Sequence, residues 1–241
     1  MIYRQQYRVL SSDADLYRRL RLSRMLTLMQ EAAIAHTEAL GAGREKTLDR
    51  GILWAVAMQR VQVRRLPEYD ETFELLSWPG EMMHVLFPRY CRIVDPAGDT
   101  LAESSALWIL MDAETRQRVF PESAGIRVPG MRFGAPPPLP RALPAAKGDP
   151  VPFEVPYSFA DLNGHMNNAR LTDLAEDRMP GALRAMRVRQ IEAEYTGEAR
   201  PGDRLALRGQ RCGSVYSLSG EKERALFRLR MEYAEDQTDG I

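Results

Sequence analysis

Tyr157-Ser158-Phe159-Ala160-Asp161-Leu162-Asn163-Gly164-His165-Met166-Asn167-Asn168 sets the reading of this chain. Asp161, Asn163 and His165 alternate within it. In extended backbone, residues at i, i+2 and i+4 point to the same side. A carboxylate, an amide and an imidazole then share one face, just ahead of a helix start at Asn167-Asn168. Acid–base chemistry uses such a set. A packed core has little use for it, because each buried polar group needs a partner.

The stretch has a counterpart near the N-terminus. A shift of 146 positions pairs Val9 with Val155, Ser12 with Ser158, Ala14 with Ala160, Asp15 with Asp161, Leu16 with Leu162 and Arg24 with Arg170. Met25 and Leu28 meet Leu171 and Leu174. Asn163 and His165 fall opposite Tyr17 and Arg19, so only the later copy carries the full polar set. The earlier copy is left free to shape a pocket.

The rest of the chain repeats in the same order. A strand is expected over Ile2 to Leu10 and a helix near Ser23 to Leu40. Leu22, Met25, Leu26, Met29, Ala33, His36 and Leu40 recur there at three- and four-residue steps. Ser23 is placed to cap the helix start and Gly41 its end. Strand-like runs follow at Leu53 to Leu66, Thr72 to Trp78, Leu86 to Val94 and Leu101 to Met111, with a hairpin turn at Asp95-Pro96-Ala97-Gly98-Asp99. The proline-dense segment around Pro136-Pro137-Pro138-Leu139-Pro140 excludes helix and central strand and reads as a semi-rigid connector. The expected division is 1–133, a linker over 134–149, and 150–241. In the second part, Phe153 to Ser158 reads as a strand and Asn168 to Met179 as a helix stopped by Pro180. Strands follow at Val188 to Tyr195, Arg204 to Arg211, Val215 to Leu218 and Leu226 to Tyr233. One strand, one helix and four strands, twice over, is the pattern of an internal duplication.

Composition removes several function classes. The 33 basic and 33 acidic residues balance, which takes away the general electrostatic argument for nucleic acid. No apolar run approaches the roughly 18–20 residues that span a bilayer, and the first residues lack the apolar stretch of a signal peptide. Cys91 and Cys212 imply no disulfide framework, so a cytoplasmic setting is expected. Three scattered histidines make no zinc spacing, and no cofactor is implied. His36 belongs to the apolar stripe of the first helix, and His84 to a loop. The two cysteines lie in strand candidates and read as packed rather than nucleophilic.

Asp161-Leu162-Asn163-Gly164-His165-Met166-Asn167-Asn168 resembles the D-x-N-x-H-x-N-N signature of acyl-ACP thioesterases. Glu194-Tyr195-Thr196-Gly197-Glu198-Ala199 resembles their E-Y-x-x-E-C segment, and the order of elements is similar along nearly the whole chain. The resemblance implies an α+β tandem (double) hotdog, with two antiparallel sheets each wrapped around a central helix. It implies hydrolysis of the thioester joining a fatty acyl chain to the phosphopantetheine arm of acyl carrier protein. Asp161, Asn163, His165 and Glu198 match the family's catalytic positions. Ala199 stands where plant members often carry cysteine, which leaves water as the attacking species.

On that basis Glu198 is the base or water-orienting carboxylate, and His165 shares in proton transfer. Asn163 donates its amide, and Asp161 orients Asn163 and His165. Helix-start N–H groups near Asn167 offer an oxyanion site. Which of Glu198 and His165 takes the proton stays open. Met25, Met29 and Ala33, with Trp54 and Trp108, are expected to line the acyl pocket. Arginines cluster at Arg18-Arg19-Arg21-Arg24, Arg60-Arg64-Arg65 and Arg184-Arg187-Arg189. They read either as solvated faces or as a docking surface for acidic carrier protein. An acyl-CoA thioesterase, a non-hydrolytic acyl-binding module and a hotdog dehydratase are the alternatives, and the unit is expected as a monomer or a homodimer.

Overall fold

The structure, a computed structural model, describes residues 1–234. Residues 235–241, the end of the expected 150–241 segment, lie outside the described residues. The first part of the chain runs β1 (Tyr3–Arg8), α1 (Leu22–Ala39), β2 (Ile52–Val63), β3 (Thr72–Pro79), β4 (Phe87–Val94) and β5 (Thr100–Asp112). A short β6 (Arg118–Val119) and α2 (Pro121–Ala124) follow. The second part runs β7 (Pro150–Glu154), α3 (Arg170–Arg178), α4 (Gly181–Ala185), β8 (Val188–Tyr195), β9 (Arg204–Cys212), β10 (Val215–Glu221) and β11 (Ala225–Tyr233). Residues 134–149 contain neither helix nor strand.

The strand order is β1-β3-β4-β5-β2-β8-β11-β10-β9-β7, with β6 on β5. The order reads the same from both ends, since β1, β3, β4, β5 and β2 mirror β7, β9, β10, β11 and β8. This is a tandem hotdog. The expected two sheets are in fact continuous, because β2 pairs antiparallel with β8 from Met58↔Glu194 to Gln62↔Gln190. The free edges of two half-sheets are thereby satisfied by each other.

Alternation on the strands puts one face over the helices. Leu75, Ile93, Ala102 and Val61 from the first half-sheet join Ile191, Leu207, Leu218, Leu229 and Met231 from the second. They pack with Met25, Leu26 and Met29 of α1 and Leu171, Leu174 and Ala175 of α3 in one core.

Several local expectations are corrected. Ser23 does not cap α1; it lies within the helix, which begins at Leu22 with no side-chain cap at Arg21. Its carbonyl accepts the Thr27 hydroxyl at 2.8 Å. Gly41 does follow the end of α1, in the left-handed region at φ +70. The strand expected over Phe153 to Ser158 lies earlier, and residues Tyr157–Phe159 form a 3-10 turn instead. Pro150 and Pro152 fit in β7 because it is the last strand of the sheet, where missing N–H donors do no harm. A helical turn, α4, restarts directly after Pro180, consistent with proline's fit at helix starts.

Candidate active site

The duplicated loops share a backbone hydrogen-bond pattern. In the second, Asp161 N–H donates to the His165 carbonyl (2.9 Å), Gly164 N–H to the Asp161 carbonyl (3.0 Å), and Met166 N–H to the Ala199 carbonyl (2.7 Å). In the first, Asp15 N–H donates to Arg19 (2.7 Å), Arg18 N–H to Asp15 (3.0 Å) and Leu20 N–H to Pro67 (2.8 Å). Gly164 at φ +74 matches Arg18 at φ +63. Asp161 Oδ1 accepts the Asn163 N–H at 2.8 Å, as Asp15 Oδ1 accepts that of Tyr17 at 2.8 Å.

This geometry corrects the extended alternation expected for Asp161, Asn163 and His165. The segment is a tight turn closed by the aspartate. Asp161 reaches His165 through its own backbone N–H, and its carboxylate is spent on the Asn163 N–H. Asp161 and Asn163 still meet one function in space, since both line the main cavity.

His165 turns inward and is buried. Its Nε2 lies 3.1 Å from Glu198 Oε2. The Ala199 carbonyl that holds Met166 also fixes Glu198, one residue earlier, against the loop. The same bond in the first half falls on Pro67, so Leu66 is the counterpart of Glu198 and Arg19 that of His165. Leu66 is buried in the core. Arg19 is folded onto Asp15 Oδ2 (2.9 Å) and the Arg184 and Met186 carbonyls. The first copy therefore holds no imidazole–carboxylate pair.

Arg116 completes the cluster and was missed from the sequence. Its Nε lies 3.3 Å from Glu198 Oε2 and its Nη2 3.4 Å from His165 Nε2. It comes from the other half, in the turn between β5 and β6, at φ +58. Asp112 builds that turn by accepting the Glu114 and Thr115 N–H groups and the Thr115 hydroxyl. Only the hairpin's fold brings Arg116 to Glu198; its sequence context is an ordinary turn. A single Nε2 cannot both donate to Glu198 and accept from Arg116. The shorter distance favours Nε2–H to Glu198. Burial lowers the His165 pKa below its ordinary value, with Glu198 opposing and Arg116 and Arg200 adding to the shift.

The main cavity, about 330 Å³, draws its lining from both parts of the chain. Of the residues expected at an acyl pocket, Ala33, Trp54 and Trp108 line this cavity, along with Phe87, Arg89 and Leu162. Met29 lines only a narrow recess of about 20 Å³ beside it. Met25 lines neither; it is wholly buried on the core side of α1. Trp54 is held by its indole N–H to the Ala42 carbonyl (3.0 Å) and by an edge contact on Phe87.

The helix-start donors are largely engaged. Asn167 N–H donates to Phe159, Ala169 N–H to Asn167 Oδ1 and Arg170 N–H to the Asn167 carbonyl. Asn167 thus closes the turn that leads into α3, whose N-cap position, Ala169, has no side-chain cap, and the Asn168 side chain makes no cap. The Asn168 N–H has no acceptor among the described residues.

Other residues are placed plainly. Cys91 is buried and its thiol is pushed up to about 11 by desolvation. Cys212 is exposed at the end of β9, not packed as expected. Many of the clustered arginines are paired, including Arg24 with Asp13 and Arg65 with Glu71. Among the described residues no His/Cys/Asp/Glu group is arranged to hold a metal ion. No helix there is long and apolar enough to cross a membrane.

The site is thus an imidazole–carboxylate pair on the loop that borders a cavity shared by the two halves; Asp161 and Asn163 line that cavity, and His165 and Glu198 lie behind its lining. The acyl-ACP thioesterase N-terminal domain model matches residues 1–123, half of the chain, and the chain belongs to the acyl-ACP thioesterase family. It is 22% identical over 215 residues to the chloroplastic palmitoyl-acyl carrier protein thioesterase of Cuphea hookeriana, covering 82% of this chain and 52% of that protein. The chain spans about half the length, or less, of the curated relatives it matches. The fold is shared with the acyl-ACP thioesterase of Bacteroides thetaiotaomicron VPI-5482, at a TM-score of 0.86 and 18% identity over 97% of this chain and 98% of that one. It is also shared with the 12:0-ACP thioesterase of Umbellularia californica, at 0.79 and 19% over 98% of both.

Proposed function

We propose that the chain hydrolyses the thioester of a fatty acyl group on acyl carrier protein, releasing the acid and the carrier thiol. One observation carries this reading: the His165–Glu198 pair, 3.1 Å apart, is held by the same loop whose Asp161 and Asn163 line the main cavity.

The acyl chain lies in the cavity, with its thioester at Asn163. Glu198 Oε1 has no partner among the described residues and its side chain is 35% exposed, which suits it to hold water. The water oxygen bonds to the carbonyl carbon as its proton passes to the His165–Glu198 pair. The two groups interact closely enough to titrate as a unit. The Asn163 amide and the Asn168 N–H are the donors for the developing oxyanion. Breaking the C–S bond expels the pantetheine sulfur, which takes the proton back. Ala199 leaves no thiol beside Glu198 to compete with water. Arg116 pairs with the Glu198 carboxylate and fixes its direction.

Acyl carrier protein as partner rests on family membership, and an acidic carrier suits the exposed arginines. A cytoplasmic setting fits the two free cysteines. The test is incubation with acyl carrier proteins bearing chains of varied length, and with the matching acyl-CoA esters, followed by detection of free acid. Release from the carrier-protein esters is expected. Release from neither carrier overturns the reading, and release from the CoA esters alone reassigns the carrier.

A further inference from the structure

The cavity wall holds a buried charge that no carboxylate among the described residues pairs. Arg89 lines the cavity and is 6% exposed. Its Nη2 donates to Thr37 Oγ1 at 2.6 Å and its Nη1 to His36 Nδ1 at 3.0 Å. Both acceptors are neutral. Thr37 gives its own proton to the Ala33 carbonyl at 2.8 Å. His36 donates from Nε2 to the Met1 carbonyl at 2.9 Å, which leaves the Nδ1 lone pair for Arg89.

No ion pair among the described residues includes Arg89. Glu31, Glu38 and Asp161 also line the cavity, and Glu38 Oε2 accepts the Arg44 N–H at 2.8 Å, but none of these carboxylates pairs with Arg89. Desolvation lowers the Arg89 pKa to about 10, which still leaves it charged at neutral pH. Trp108, on the neighbouring strand, has a buried indole N–H without an acceptor. Around Arg89 and Trp108 the donors therefore outnumber the acceptors.

A buried charge is ordinarily paired. Tying β4 to the last turn of α1 needs hydrogen-bond donors but no permanent charge. A plain alkyl chain would desolvate the guanidinium further and return nothing.

Building on the thioesterase reading above, we propose that the cavity takes an acyl chain bearing an oxygen acceptor, a hydroxyl, keto or carboxylate group, which hydrogen-bonds Arg89. The acceptor supplies the close partner that Arg89 lacks. Arg89 is then the residue that selects among acyl groups, while the His165–Glu198 pair acts on any thioester presented to it.

The test compares dodecanoyl, 3-hydroxydodecanoyl, 3-oxododecanoyl, 12-hydroxydodecanoyl and 11-carboxyundecanoyl pantetheine esters. At least one oxygenated ester is expected to exceed dodecanoyl in kcat/KM by roughly tenfold, as for a hydrogen bond to a charged group. Arg89→Gln should erase that preference, and Arg89→Lys should keep part of it. If dodecanoyl matches or beats every oxygenated ester, the proposal fails while the thioesterase reading stands. If no pantetheine ester is hydrolysed, the thioesterase reading is decided by the carrier-protein and CoA esters above. The non-hydrolysable amide analogues then decide by melting temperature of the wild-type protein, which also serves if neither variant folds. A larger rise with an oxygenated amide than with dodecanoyl supports the proposal, and equal rises overturn it.

Discussion

At the scale of single residues, chemistry at this site depends on which atoms meet at Glu198 Oε2. His165 and Arg116 both reach it, at 3.1 and 3.3 Å. Removing the base or its partner should slow turnover by about 10²–10⁴-fold. Assays of Glu198→Gln and His165→Ala on an acyl carrier protein ester test this, and near-normal rates would remove the residue from its role. The pH profile follows from the lowered His165 pKa. A pair that needs neutral His165 keeps its activity as pH falls until the imidazole protonates, so the acid limb should lie below 6.5. Arg116 helps hold that pKa down. In Arg116→Gln the limb should move to higher pH as kcat falls, whereas a purely structural arginine would lower the melting temperature and leave the limb in place. Asp161, Asn163 and His165 stand out in the sequence by type and spacing, and Glu198 by resemblance to a family motif; these assays test the roles of His165 and Glu198. Arg116 does not stand out, because a turn arginine carries no mark of what it will face.

At the scale of elements, the two copies of the loop show what backbone geometry demands. Gly164 and Arg18 occupy the same left-handed position. A Cβ at Gly164 meets nothing within 4 Å, so Gly164→Ala tests backbone strain alone. A loss of about 1 kcal/mol in denaturant-derived stability is expected. Helix α3 carries a second signature. Burial, with help from Asp173 and Asp15, raises the Glu176 carboxyl pKa to about 7. A carboxyl raised in the folded state adds stability that is full below its unfolded value and is lost as pH rises to about 7. The integrated change should be at most about 3 kcal/mol. Glu176→Gln should flatten the stability profile between about pH 4.5 and 7, and an unchanged profile would show that Glu176 titrates normally. Most strands were readable from alternation and turn residues. Displacement of the first strand of the second part arose because Pro150 and Pro152 argue against a strand unless its edge position is known.

At the scale of the whole molecule, the β2–β8 seam makes one sheet of two half-sheets. Ile191 is buried there, opposite Val61 and Met231. Ile191→Ala should cost about 2–5 kcal/mol. The chain's three tryptophans, Trp54, Trp78 and Trp108, all lie in the first part. If the halves unfold together, this change in the second part should shift the tryptophan-detected transition by the full amount. An unshifted transition would mean that the halves unfold separately. The sequence by itself determined the repeated order of strand and helix and the polar set of the second loop, because those features are local, written in periodicity, turn residues and fixed spacing. The fold class came with the resemblance to a known family. Tertiary structure alone decided that His165 meets Glu198, that Arg116 crosses from the other half to join them, and that Arg89 faces the cavity without a counter-charge. Each depends on chain segments far apart in sequence being brought together by sheet pairing, a relation that no local pattern encodes.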